Sequence, residues 1–113
     1  MGKVSRDKGK RGEREWAGFL RDHLNCPDAC RGVQHAGGPD SPDVRGGIPG
    51  THAEVKRCER LSLYPAMQQA IDDAGEAVPY VAHRRNGQEW LVLVRAEDLV
   101  ELATLVYLQM ASE

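Results

Sequence analysis

"SPDVRGGIPGTHAEVKR", Ser41 to Arg57, is the stretch on which the reading of this chain turns. Its second half, Thr51 to Lys56, reads as a strand. Successive side chains of a strand point to opposite faces, so Glu54 and Lys56 share one face while Val55 points the other way, into the core. Asp43 to about Ile48 is a second extended segment, and "IPGT" between the two is a tight-turn signal. The turn is expected to bring Asp43, at the start of its strand, beside Glu54 and Lys56. Two carboxylates and an ammonium would then surround one point. A surface ion pair is the simpler account of Glu54 and Lys56 alone, but Asp43 behind a glycine-rich loop makes the group a candidate site. Two carboxylates with water and phosphate oxygens suit a hard divalent cation such as Mg2+. A lysine beside them can position water or offset charge on a phosphate.

Outward from this stretch, helices and strands alternate. Trp16, Ala17, Leu20 and Leu24 fall on one stripe of a helix from about Lys10 to Asn25, which Pro27 and Asp28 end. A strand at about Cys30 to His35 follows, then a Gly/Pro loop through Pro42. Ser62 is placed to cap a second helix, with Pro65 in its first turn, Leu63, Met67, Ala70, Ile71 and Ala74 as its apolar stripe, and Gly75 at its end. "VPYVAHRR" and "QEWLVLVR" flank Asn86-Gly87, a hairpin signal. Trp90 lies in an apolar run and reads as core. A last helix, about Ala96 to Met110, is apolar on more than one side. Leu99, Leu102, Val106 and Met110 serve either packing onto the sheet or a dimer surface. The order predicts an α/β fold in which helices flank a small mixed β-sheet, as a single domain over residues 1–113.

Glu13 lies in the middle of the stripe made by Trp16, Ala17, Leu20 and Leu24, whereas Glu15 lies on nearly the opposite side. Either Glu13 is solvated at the start of the helix, where the helix dipole favours it, or it is a third carboxylate aimed at the site. Burial without a partner would be costly.

"KGKRGERE", then "PDV", then "EVK", in this order and spacing, resemble the PD-(D/E)XK nuclease superfamily, and within it archaeal-type Holliday junction resolvases and their small phage-encoded relatives. The resemblance covers about Lys8 to Trp90. It implies a restriction-endonuclease-like core, α-β-β-β-α-β, here with an additional C-terminal helix. Glu13 resembles the helix glutamate near the metal, Asp43 and Glu54 the metal-binding acids, and Lys56 the catalytic lysine. Gln69 matches the glutamine that many members carry on the next helix, with Gln68 as the other choice. Asp40 forms a second Pro-Asp pair, but it falls inside the loop rather than at a strand start. The activity implied is hydrolysis of DNA at four-way junctions with Mg2+, Mn2+ being expected to substitute, leaving a 5'-phosphate and a 3'-hydroxyl. Such enzymes act as homodimers on branched DNA. Two other readings stay open: a nicking or replication-repair nuclease of the same superfamily, and a non-catalytic DNA-binding module on the same fold.

Charge agrees with a nucleic-acid partner. A net charge of -2 conceals a basic start, with Lys3, Arg6, Lys8, Lys10, Arg11 and Arg14 against Asp7 and Glu13. Residues 1–9 are expected to form a flexible basic arm able to hold a polyanion. Arg57, Arg60, Arg84 and Arg85 are further candidates for phosphate contacts. No apolar run approaches the roughly 18 residues of a membrane span, and no apolar segment follows the basic start as in a secretory signal. With three cysteines, an odd number, a reducing cytoplasm is expected rather than a disulfide framework. His23, Cys26, Cys30 and His35 match no common zinc spacing. No organic cofactor is expected.

Overall fold

A computed structural model describes residues 2–32 and 43–112, with side chains from Gly9 onward. The elements run α1 (Gly2–His23), β1 (Cys30–Arg31), β2 (Val44–Arg45), β3 (Thr51–Arg57), α2 (Leu63–Ala74), β4 (Val78–Arg84), β5 (Leu91–Leu93) and, after a 3-10 turn at Ala96–Asp98, α3 (Leu99–Ala111). The chain is thus an α/β fold of three helices and two small sheets among the described residues.

α1 begins at Gly2 rather than near Lys10, so the segment expected as a separate arm continues the helix. The side chains of Lys3, Arg6 and Lys8 lie outside the described residues, as do His35, Asp40 and most of the Gly/Pro loop.

The sheet departs from expectation in one important way. β3 pairs in parallel with β4 and β4 pairs antiparallel with β5, while β1 and β2 form a separate antiparallel ladder. The turn after β2 does form, with the Thr51 amide donating to the Ile48 carbonyl at 3.2 Å, yet β2 does not pair with β3. The reason is local. Gly46 adopts φ 73° and its Cα sits so close to the Asp28 carbonyl that a Cβ would stand 2.5 Å from the oxygen. Only glycine takes that conformation in that space, and it turns the chain out of the extended state immediately after Arg45. Among the described residues, β3 pairs with β4 alone.

The parallel pairing of β3 with β4 requires a crossover, and α2 supplies it. Ser62 stands at its N-cap and Gly75, at φ 61°, at its C-terminus. Ser62 contributes its carbonyl to the Ala66 amide, 3.0 Å away, rather than a side-chain cap. The Asn86-Gly87 hairpin is present, with Gly87 at φ 70°.

Alternation along β3 and β4 divides the sheet into two faces. Ala53 and Val55 of β3, with Tyr80 and Ala82 of β4, meet Trp16, Ala17 and Leu20 of α1. The Trp16 indole N–H donates to the Tyr80 hydroxyl at 3.1 Å, and Phe19 and Trp90 pack against the same ring at 5.1 Å. Burial drives the Tyr80 pKa upward, so it stays a neutral phenol. On the opposite face, Ala66, Met67 and Ala70 of α2 pack on Val81. α3 reaches the main core through Leu102, with Val106 and Leu105 at its border. Its end is tied by Gln109, whose side-chain amide donates to the Asn25 carbonyl at 2.6 Å. Leu99, Val100, Tyr107, Leu108 and Met110 remain exposed on its outer side.

Candidate active site

His52, Glu54 and Lys56 of β3 share the α2 side of the sheet, the face opposite Val55. Glu54 is 3% exposed, the one charged residue in the buried class among the described residues. Its carboxylate is bracketed by its strand neighbours: Oε1 lies 3.8 Å from His52 Nε2 and Oε2 lies 3.6 Å from Lys56 Nζ. Both are ion-pair distances, too long for hydrogen bonds. Glu54 Oε1 and His52 Nε2 are accordingly buried without a hydrogen-bond partner. The Glu54 carboxylate holds the His52 pKa above its ordinary value, against the opposing effect of burial.

α2 supplies the opposite wall. Lys56 Nζ donates to Gln69 Oε1 at 2.7 Å, while Gln68 turns aside to bond Asp72 at 2.9 Å. Of the two glutamines, Gln69 is therefore the one that meets the lysine. One turn further along the helix, Asp73 closes on the other end of the strand face. Ligand atoms of His52, Glu54 and Asp73 all lie within 4.8 Å of one another, a group that could hold a metal ion.

Asp43 arrives by an unexpected route. β2 does not pair with β3, and instead the Asp43 carboxylate accepts the Val55 amide through Oδ2 at 2.8 Å. Among the described residues no strand pairs with β3 on that side, so the amide is available. Burial, and then the charge of Glu54, push the Asp43 pKa up to about 7, against the stabilising Val55 N–H. Glu13 adds a smaller push in the same direction and Lys56 a smaller opposing one.

Glu13 is half-buried and accepts from Arg31 Nε at 2.8 Å. Its pKa is raised, chiefly by burial, with Arg31 opposing and Glu54 adding to the rise. Neither sequence reading of Glu13 had provided for this partner. Asp43, Glu54, Lys56, Gln69 and Glu13 are thus brought together around the edge of β3.

The proposed phosphate-contacting residues divide into two sets. Lys10, Arg11, Arg14, Arg60 and Arg85 are exposed. Arg57 and Arg84 instead converge on Glu15 Oε1, at 3.0 and 3.1 Å, with Arg57 also reaching Asn86 Oδ1 at 2.9 Å and Arg84 the Gln88 carbonyl at 2.6 Å. Those two guanidiniums tie α1 to the sheet. His83 faces the α2 side opposite Lys56, and its Nε2 hydrogen-bonds with the Cys58 carbonyl at 2.9 Å. Cys26 is buried whereas Cys30 is exposed, and His35 lies outside the described residues.

His52 and Asp73 are the site residues that sequence reasoning missed. The strand alternation that joined Glu54 to Lys56 also contains His52, two positions earlier. Asp73 follows Gln69 at i+4, the same helical face. Comparison with protein-family models, with curated proteins and with solved structures finds no match for this chain.

Proposed function

We propose that the chain is a divalent-metal-dependent DNA endonuclease with a restriction-endonuclease-like core, acting on branched DNA as a resolvase of four-way junctions. One observation carries the reading: Asp43, Glu54 and Lys56 meet at the edge of β3, with Gln69 holding the lysine at 2.7 Å. The motif resemblance supplies the order of these residues, and their convergence supplies a reason for it.

The donor set suits a hard cation. Asp43 and Glu54 offer carboxylate oxygens, and burial first, then the charge of Glu54, push the Asp43 pKa to about 7, which a bound cation would reverse. Asp43 and Glu54 would hold Mg2+, with Glu13 close enough to add its field. The cation supplies Lewis-acid stabilisation of the phosphate and a more acidic water. The residues do the rest. Asp43 is fixed by the Val55 amide, so its carboxylate is already oriented. Lys56, held by Gln69 on one side and drawn to Glu54 on the other, presents an ammonium beside the carboxylates. There it can hydrogen-bond a phosphate oxygen or orient the attacking water. Hydrolysis forms a bond from water oxygen to phosphorus and breaks the bond to the 3' oxygen, which takes up a proton. Paired cuts across a junction need two copies, and the exposed apolar side of α3 would supply the dimer surface.

The non-catalytic alternative gives no reason to hold three mutually repelling carboxylates in one place. The test is a cleavage panel of labelled four-way junction, flap, nicked, single-stranded and duplex DNA with Mg2+ or Mn2+. Junction cleavage is expected from the wild type, with loss of cutting in Asp43→Asn and Glu54→Gln. No cutting of any substrate, or undiminished cutting by Asp43→Asn, would reject the nuclease assignment, while cutting confined to another DNA shape would reject only the resolvase.

A further inference from the structure

His52 and Asp73 have no part in the nuclease reading, yet they enclose the side of Glu54 that Lys56 leaves open. Oε2 of Glu54 faces the ammonium at 3.6 Å, and Oε1 faces His52 Nε2 at 3.8 Å. The Oε1 and Nε2 atoms are both buried and both lack a hydrogen-bond partner. An unsatisfied buried polar atom costs about 1–3 kcal/mol, and two such atoms facing each other call for something that satisfies both. A proton between them would need a shorter approach than 3.8 Å. A metal ion needs a longer one: ligand atoms bound at about 2.1 Å in tetrahedral geometry stand roughly 3.4 Å apart. His52 and Glu54 are near that separation already, and Asp73 lies inside the same 4.8 Å group.

We propose that His52, Glu54 and Asp73 form a second cation site, for a borderline divalent transition metal such as Zn2+, Co2+ or Mn2+. The nitrogen donor decides the class. Mg2+ takes oxygen ligands almost exclusively, whereas imidazole with carboxylates suits the transition metals. Two ligands come from one strand face at i and i+2, and the third comes from the helix packed over it, so the backbone fixes all three. Three protein ligands also leave coordination positions open, as in catalytic rather than closed structural sites. Glu54 is shared: one carboxylate serves this site on the His52 side and the Asp43 group on the other. The proposal holds whether or not the chain cuts DNA.

The experiment is Co2+ titration of the full chain, followed by visible absorption and calorimetry, with Mg2+ as competitor. Cys30→Ser and His23→Ala remove exposed donors elsewhere and should retain binding of one Co2+. His52→Gln and Asp73→Asn should each weaken Co2+ by at least about tenfold, the scale of loss expected when a supporting group of a metal site is removed. In the wild-type protein, metal should shift the His52 imidazole nitrogen resonance, which needs no variant to fold. Mg2+ in large excess should leave Co2+ bound. Unchanged affinity in His52→Gln, an unmoved His52 resonance, or displacement of Co2+ by equimolar Mg2+ would each overturn the proposal. Because the readout is binding, an inactive protein leaves this site standing, and loss of this site leaves the Asp43 assignment to the cleavage panel.

Discussion

Replacing Asp43 with asparagine should stabilise the metal-free protein at alkaline pH and leave it nearly unchanged in acid. The Asp43 carboxyl stands at about 7 in the folded protein against an ordinary value of 3.8. The native state therefore holds that proton more tightly than the unfolded chain does. The stabilisation this confers is fully present below about pH 4 and is lost as pH rises through about 7. At 1.36 kcal/mol per unit of pH, the ceiling on the loss is about 4 kcal/mol. Burial is the larger cause and the charge of Glu54 the next, and because the two carboxyls titrate together the part that belongs to Asp43 alone is nearer about 2 kcal/mol. The substituted asparagine is neutral at every pH, and its amide oxygen still accepts the Val55 N–H. In a domain of this size about 2 kcal/mol corresponds to a rise in Tm of roughly 8 °C. Urea denaturation followed by circular dichroism, with a chelator present, would be run at about pH 4.5, 6 and 8. The gain should grow monotonically across that series, and divalent cation should shrink it by stabilising the wild type preferentially. A variant equally stabilised at all three pH values, or destabilised at the highest, would refute the electrostatic account of the site.

Three further perturbations separate the frame from the chemistry. Gly46→Ala should destabilise the fold by about 2 kcal/mol or more, since it meets both a positive φ and the Asp28 carbonyl; urea midpoints would show it, and an unaltered midpoint would mean that this turn does not constrain β2. Tyr80→Phe removes the acceptor of the Trp16 indole and should cost about 1–3 kcal/mol, with a shift in tryptophan emission as a second readout. Lys56→Ala should lower the cleavage rate strongly with little change in Tm, because Lys56 lies on the opposite face from the main core, and Lys56→Arg should not restore it fully, since a guanidinium is broader and stays protonated; single-turnover kinetics would measure both.

What the sequence made legible was whatever depends on local periodicity. The alternation in "THAEVKR" placed Glu54 and Lys56 together and Val55 opposite them. The apolar stripes located α2 and the buried face of α1, and Asn86-Gly87 located the hairpin. The split of the sheet was not legible, because it follows from a close approach of Gly46 to Asp28, a contact between segments that no window of sequence contains. For the same reason a ladder between β2 and β3 was expected where a single side chain, Asp43, bonds the strand edge instead. Glu15 shows the limit of a helical wheel. The wheel set it nearly opposite Glu13, but it does not reveal that arginines of β3 and β4 are long enough to meet it. His52 was visible by alternation; its significance required knowing that α2 brings Asp73 over the same strand face.

The location of the site follows from the energetics of a strand edge. An interior strand commits its amides to both neighbours, whereas among the described residues β3 pairs with β4 alone and gives the Val55 N–H to a carboxylate. That bond anchors Asp43 in an environment that otherwise disfavours its charge. The same strand sends Val55 into the Trp16 core, so the backbone carrying Glu54 is held by packing on one face while its charges crowd the other. Gathering Glu13, Asp43 and Glu54 is unfavourable in isolation, and Lys56 and Arg31 offset only part of it. A rigid frame permits the arrangement to persist, and a bound cation would offset its cost. Neutralising one of the three acids would relieve the crowding from within, and the cation proposed above would relieve it from outside.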